Sequence, residues 1–409
     1  MLSKIKTSQL LNIFIFLLIV LAAVSLRDRL NKSASSKDQG SFYKIAAEVS
    51  DYCVKNVALY KGKENCYAEE FKKLGEKNSY ELSFKVLDSL QQIDKSAIGC
   101  HLIAHGIGWG SYKRDPSIWK DMVQNMPTRC SYGSIHGVIE SYVLSLPEKS
   151  LSKAVIPTIC GETPRADCNH IIGHLLLVQT DASIPKALDL CEVFKEVAQN
   201  RFCISGVFME YQTALNLVSH DLAPASWLNW PARMEELETL CRAQVGKFAE
   251  GCWEEIVHVA LVKFDHDPKK VFDLCSSAQV PNGAKRCKMH SLGIIGASRN
   301  FELARLKSVC AIPQKDDPNF ERDCYPAMVS STLSTIPTKV AESVAFCNSL
   351  EDKFKTACFS MLGVMSPSSP VIKNQLPKAC KQAPVDLQNY CLGVSSMSGQ
   401  NSIIQNPND

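Results

Sequence analysis

Seven of the nine histidines in this 409-residue chain fall near the starts of short, similar segments: His101, His105, His136, His170, His174, His258 and His290. Pairs recur at a four-residue spacing, as His101/His105, His136/Glu140, His170/His174 and Glu254/His258. On an α-helix, residues i and i+4 share a face, with Cβ atoms about 5–6 Å apart. Imidazoles and carboxylates so placed on adjacent helices are the donors that divalent Zn, Fe, Mn or Cu takes. His101, His105, His136, Glu140, His170 and His174 form the leading candidate ligand set, with donors enough for two ions. Glu210, Glu254 and His258 form a second, smaller set. His220 and His266 stand in loop-like stretches.

Two other accounts fit the same residues. Gly106, Gly137, Gly173, Gly206 and Gly293 recur on these segments and let helices approach closely. His, Ser and Glu between such helices could satisfy one another as a polar packing seam. A pH-responsive or ligand-binding groove is the third account.

The segments themselves repeat. Nine begin with Cys, at Cys66, Cys100, Cys168, Cys203, Cys252, Cys287, Cys324, Cys358 and Cys391, and a tenth keeps the register with Ser134. Successive starts lie 33–37 residues apart, except for 49 between Cys203 and Cys252. Each segment predicts a helix, here called B, preceded by an amphipathic helix A such as DPSIWKDMV, PKALDLCEVF, DPKKVFDLC or AESVAFCNSL. Asp94, Thr163-Pro164 and Asp317-Pro318 supply helix-start signals. Two helices in so short a unit cannot bury their apolar faces alone, whereas stacked units can. The expected fold is all-α: a right-handed α-solenoid of about ten two-helix repeats.

A second cysteine sits near the end of most A helices: Cys53, Cys160, Cys191, Cys241, Cys275, Cys310, Cys347 and Cys380. The natural pairing closes each hairpin on itself, as 53–66, 160–168, 191–203, 241–252, 275–287, 310–324, 347–358 and 380–391. Cys100 and Cys130 remain to link neighbouring units. Spacing alone does not fix this connectivity.

Period and layout resemble those of tetratricopeptide, Sel1-like and HEAT-like repeats, and the resemblance implies a solenoid. The tetratricopeptide Trp/Leu/Gly/Tyr signature is absent, and the cysteine spacing departs from the Sel1-like pattern. A helical-repeat body bearing His and Glu donors is also similar in outline to deoxyhypusine hydroxylase, a two-iron enzyme. Its His-Glu dipeptides are missing here, so its activity is not implied.

The remaining sequence places this body in space. Residues 1–9 carry Lys4 and Lys6, and residues 10–26 are almost wholly apolar. Seventeen residues at about 1.5 Å each span roughly 25 Å, just enough for a bilayer core. The positive flank keeps the first segment cytoplasmic and exports the body behind the apolar run. A cleaved signal peptide ending near Ala23-Val24-Ser25 is the alternative, and it exports the body equally. Residues 27–40 read as a linker, 41–400 as the cysteine-rich repeat domain and 401–409 as a tail. Eighteen cysteines without a CxxC then point to disulfides in an oxidising extracytoplasmic compartment, periplasm or cell surface.

With 45% hydrophobic and 21% charged residues, a net charge of +3 and no basic stripe, the chain is neither disordered nor a nucleic-acid binder. It has no Ser-His-Asp motif, phosphate loop, dinucleotide fingerprint or HExxH. The extra residues before Cys252 carry Trp227 and Trp230, either a contact surface for a protein or peptide or a pair packed onto the next repeat. The expected function is a membrane-anchored, extracytoplasmic metal-binding repeat protein. A metal-free scaffold binding a protein or peptide on its concave face is the alternative.

Overall fold

The computed structural model describes residues 40–394, apart from 60–61, 128, 131, 147–150, 161–165, 215–216, 219–221, 281 and 316. The expected membrane-spanning segment, the tail, the Thr163-Pro164 cap and His220 lie outside the described residues. Among those described there is no strand, and no helix is long and apolar enough to cross a membrane.

The fold is all-α, with helices that alternate as the periodicity predicts. The first of each pair are α1 (40–55), α3 (Tyr80–Ile93), α5 (Trp119–Asn125), α7 (Ile156–Ile159), α9 (Ile184–Cys191) and α11 (Trp230–Ala243). The series continues with α14 (Pro268–Cys275), α16 (Leu303–Cys310), α18 (Val340–Asn348) and α20 (Pro370–Ala379). Their partners are α2 (Lys63–Lys77), α4 (His101–Arg114), α6 (Gly133–Ser145), α8 (Ala166–Gln179) and α10 (Val197–Thr213). The sixth B helix is broken into α12 (Gly246–Glu255) and α13 (Val257–Lys263). The last four are α15 (Gly283–Ser298), α17 (Phe320–Thr335), α19 (Asp352–Met365) and α21 (Gln388–Cys391).

Local chemistry sets one of these boundaries, at α14, and the starts of the 3₁₀ turns that precede α4 and α5. Asp94 Oδ1 accepts from Ser96 N at 2.8 Å, Asp115 Oδ1 from Ser117 N at 3.1 Å, and Asp267 Oδ1 from Lys269 N at 3.0 Å. Each supplies an acceptor to a backbone N–H that the helix leaves unpaired. The A helices are one-sided: α14 buries Val271, Phe272 and Cys275 and turns Lys269, Lys270 and Asp273 to solvent. The B helices are covered more fully, because each packs between its predecessor and its successor. The contacts run α2 to α4, α6, α8, α10, α12, α15, α17, α19 and α21 in turn.

Nine disulfides join Cys53–Cys66, Cys100–Cys130, Cys160–Cys168, Cys191–Cys203, Cys241–Cys252, Cys275–Cys287, Cys310–Cys324, Cys347–Cys358 and Cys380–Cys391. These are the pairings that the spacing suggests. Eight close a hairpin on itself, and Cys100–Cys130 joins the second hairpin to the third.

Glycine brings the B helices into backbone contact. A Cβ at Gly137 of α6 would overlap the His105 carbonyl oxygen of α4, and one at Gly206 of α10 would overlap the His170 carbonyl oxygen of α8. Gly293 differs, with only Ser331 Oγ at 3.7 Å from such a Cβ, so close approach is not its purpose. The row of helices also curls: the 3₁₀ turn Lys95–Gly99 in the second hairpin touches α15 in the seventh.

Candidate metal-binding seam

Close packing of α4, α6 and α8 places matching imidazoles beside one another. His101 and His105 of α4 face each other through Nε2 atoms 3.2 Å apart. The ring of His136, on α6, stands 5.3 Å from that of His101 and 5.4 Å from that of His105, centroid to centroid. On its other side it stacks on His170 of α8 at 5.7 Å and lies 6.3 Å from His174. His170 and His174 repeat the first pair, with Nε2 atoms 3.1 Å apart.

Hydrogen bonds tie down the outer nitrogens of His101 and His174, whereas His105 Nδ1 makes none. His101 Nδ1–H donates to the Cys130 carbonyl at 3.0 Å, so the longest-loop disulfide also fixes the tautomer of this ring. His105 Nδ1 lies 3.6 Å from Glu140 Oε2, which accepts from Trp109 Nε1 at 2.8 Å. His174 Nδ1 donates to Glu210 Oε2 at 2.9 Å. A carboxylate or carbonyl at Nδ1 orients an imidazole and raises the basicity of the nitrogen that would hold a metal. Glu210 therefore stands behind His174 as an orienting carboxylate, and Glu140 lies near His105 in the matching place.

A third group of donors closes the row. His258 Nε2 and His290 Nε2 are 3.1 Å apart, and Glu255 Oε2 is 3.3 Å from the first and 3.6 Å from the second. Ser205 connects it to the others: His170 Nδ1 lies 3.2 Å from Ser205 Oγ, whose hydroxyl donates to Glu255 Oε1. Glu255 is fully buried, whereas the His290 side chain keeps 33% of its exposure, so the row opens to solvent at that end.

The second candidate set, Glu210, Glu254 and His258, is not brought together. Glu210 joins His174, and Glu254 Oε2 turns to Arg286 Nη1 at 4.0 Å. The partners of His258 are Glu255 and His290 instead. The cause is a break in the helix at Ile256, whose ψ of −20° is in the 3₁₀ range. The tighter turn rotates the residues after it, so His258 meets the residue three positions back rather than four. An i,i+3 reading of EEIVH would have found Glu255. His290, one of the seven clustered histidines, stands on the next B helix.

Burial sets the protonation of the seam. Loss of solvation, then the neighbouring His105, holds the pKa of His101 down at about 3, against the opposing bond to Cys130. Burial, then His174, brings His170 to about 3 as well. His136 is held well below the ordinary range by burial and by the four imidazoles around it. Burial would raise Glu255, but His290 and His258 outweigh it and keep the carboxyl well below its usual range. Neutral imidazoles and an ionised carboxylate are the states in which these groups bind metals.

Two groups of donors are compact enough to hold an ion: His101, His105 and His136, and Glu255, His258 and His290, each with ligand atoms within 4.8 Å of one another. Several atoms here lack other partners. His136 Nε2 and Glu255 Oε2 are buried without a hydrogen bond. His266 lies in a turn outside the seam. Trp227 and Trp230 are half-buried and pack back onto α10: Trp230 Nε1 donates to the Thr213 carbonyl at 2.9 Å, and Trp227 meets Tyr211 edge to face at 5.1 Å with the Arg233 guanidinium beside both rings.

Compared with known proteins, the chain matches no family model, no curated protein and no solved structure.

Proposed function

We propose that the protein is an extracytoplasmic, membrane-anchored α-solenoid that holds divalent transition-metal ions along the histidine seam of its B helices. The observation that carries this reading is the His101/His105/His136 group. His101 Nδ1–H is committed to the Cys130 carbonyl, so its Nε2 presents a lone pair to His105 Nε2 at 3.2 Å. Beside them His136 Nε2 is buried without a hydrogen-bond partner. Two nitrogens bound to one tetrahedral zinc at about 2.0–2.1 Å lie about 3.3 Å apart, so the spacing suits a shared cation. A purely structural seam would leave His136 Nε2 buried without a partner, which is costly in a desolvated site.

Donor chemistry narrows the ion. With every described cysteine in a disulfide, thiolates are excluded from the seam. Imidazoles with carboxylate support suit Zn, Fe, Mn or Cu. The nine disulfides support an oxidising compartment, and the apolar segment 10–26 with its basic flank supports the anchor.

Elemental analysis of protein purified from an oxidising compartment tests the reading. About one or two metal equivalents are expected, and the one at His101, His105 and His136 should be lost when those residues are replaced by Ala together. Metal-free protein that keeps its fold would reverse it.

A second reading, a module that binds a protein or peptide, is favoured by a groove of about 640 Å³ lined by Ile184, Leu188, Asp189, Tyr211, Leu240 and Phe248. None of the seam histidines lines it. Binding of partners by protein that lacks the seam imidazoles would support this second role.

A further inference from the structure

Beside the seam histidines lies a donor of a different kind. Met209 of α10 places its Sδ 3.2 Å from His170 Nε2. The same nitrogen faces His174 Nε2 at 3.1 Å. Which of these contacts can be hydrogen bonds depends on where the ring protons sit, and the surroundings settle that. His174 Nδ1 gives its proton to Glu210. Ser205 gives its hydroxyl proton to Glu255, so its oxygen is left to accept from His170 Nδ1. Both imidazoles are thus protonated on Nδ1, and both Nε2 atoms carry lone pairs. A lone pair on His170 therefore faces a second lone pair and a thioether sulfur, with no proton among the three.

We infer that His170, His174 and Met209 form a copper site, with two imidazole nitrogens and one thioether as ligands and Cu(I) as the favoured state. Thioether sulfur is a soft donor that selects Cu(I) over the harder divalent ions. No free thiol among the described residues competes for the metal. The orienting groups are already in place, Glu210 on one ring and Ser205 on the other, as ligating histidines require. The site is separate in its donors from the His101/His105/His136 and Glu255/His258/His290 groups. It rests on the reading of the seam as metal-binding, and it adds a metal of distinct preference at a distinct place.

The full chain is titrated anaerobically with ascorbate-reduced copper against bicinchoninate, and the bound metal is examined by copper K-edge X-ray absorption. The expected result is one Cu(I) with a sulfur neighbour. Met209→Leu, which nearly conserves volume and so preserves packing, should remove the sulfur neighbour and weaken Cu(I) binding by about tenfold or more, a loss at least as large as that from an orienting partner. Met209→Gln keeps the length but replaces soft sulfur by a hard amide, and should weaken Cu(I) similarly. Zinc uptake by the other two groups should be unchanged in both variants. Copper with nitrogen neighbours alone, or Met209→Leu binding Cu(I) as tightly as the parent, overturns the copper site and leaves the seam reading standing. A parent protein that takes up neither Zn(II) nor Cu(I) overturns both.

Discussion

His174 and Glu210, on neighbouring B helices, meet as Nδ1 and Oε2 2.9 Å apart, and this turns the other nitrogen of His174 toward His170. A looser version recurs two B helices earlier, where Glu140 of α6 lies 3.6 Å from His105 of α4. A carboxylate from one repeat thus sets the ring of the repeat before it.

Glu140→Gln should keep the fold and weaken zinc at His101/His105/His136 by about 10- to 100-fold, the usual effect of removing an orienting carboxylate. Competition against a chelator of known affinity measures it. Equal affinity in variant and parent would show that Glu140 serves packing alone.

Gly206→Ala should be poorly tolerated. The added methyl would overlap the His170 carbonyl oxygen, a backbone atom that cannot swing aside. Overpacking of this kind costs about 1–3 kcal/mol or more. Urea denaturation should show the loss, and separation of α8 from α10 should weaken metal binding in the same variant. A parent-like midpoint would mean that the two helices can part freely.

Replacing Cys100 and Cys130 together by Ser should act on one metal group and spare another. The bridge closes a sequence separation of 30 residues, worth roughly 3–4 kcal/mol in the loop-entropy model. It also holds the Cys130 carbonyl against His101 Nδ1. Zinc affinity should fall at His101/His105/His136 while the Glu255/His258/His290 group, remote in sequence, keeps its own. Equal losses at both would argue against local action.

The junction of the first two hairpins should be stable over a defined pH window. Tyr67 Oη donates to Asp94 Oδ2 at 2.7 Å, and Lys63 Nζ lies 3.0 Å from the same oxygen. Burial would raise the Asp94 pKa, but bonds from Tyr67, Ser96 and Lys63 outweigh it and hold the group well below its usual range. A depressed carboxylate stabilises above its unfolded pKa near 3.9, and that contribution fades as pH falls further. Burial and Asp94 raise Tyr67 to about 12, against a bond from Ser50. Its contribution is complete below an unfolded pKa near 10 and is lost as pH rises toward 12. Asp94→Asn should flatten the acid limb of a stability–pH curve measured by urea titration. An unchanged acid limb would assign the pH dependence to other groups.

Much of this was legible because it repeats. Cysteines such as Cys191 and Cys203 recur with each hairpin, so spacing was enough to suggest their bridges. His136 and His170 hold equivalent places after Ser134 and Cys168, and the equivalence put both on one face. What departs from the repeat was hidden. The break at Ile256 changes the helical phase and substitutes Glu255 for Glu254, and no residue type announces it. The roles of Glu140 and Glu210 depend on which ring nitrogen they meet, a matter of side-chain orientation that spacing does not carry. Met209 follows the same logic, since a methionine on a buried helix ordinarily fills space.

The touch between the Lys95–Gly99 turn and α15 has a consequence for descent. An open row of repeats can lengthen or shorten by whole units, since each unit meets only its neighbours. Here the second hairpin is also in register with the seventh. Duplicating or deleting one hairpin between them should break that contact, so a change in their number is expected to be tolerated better at the two ends.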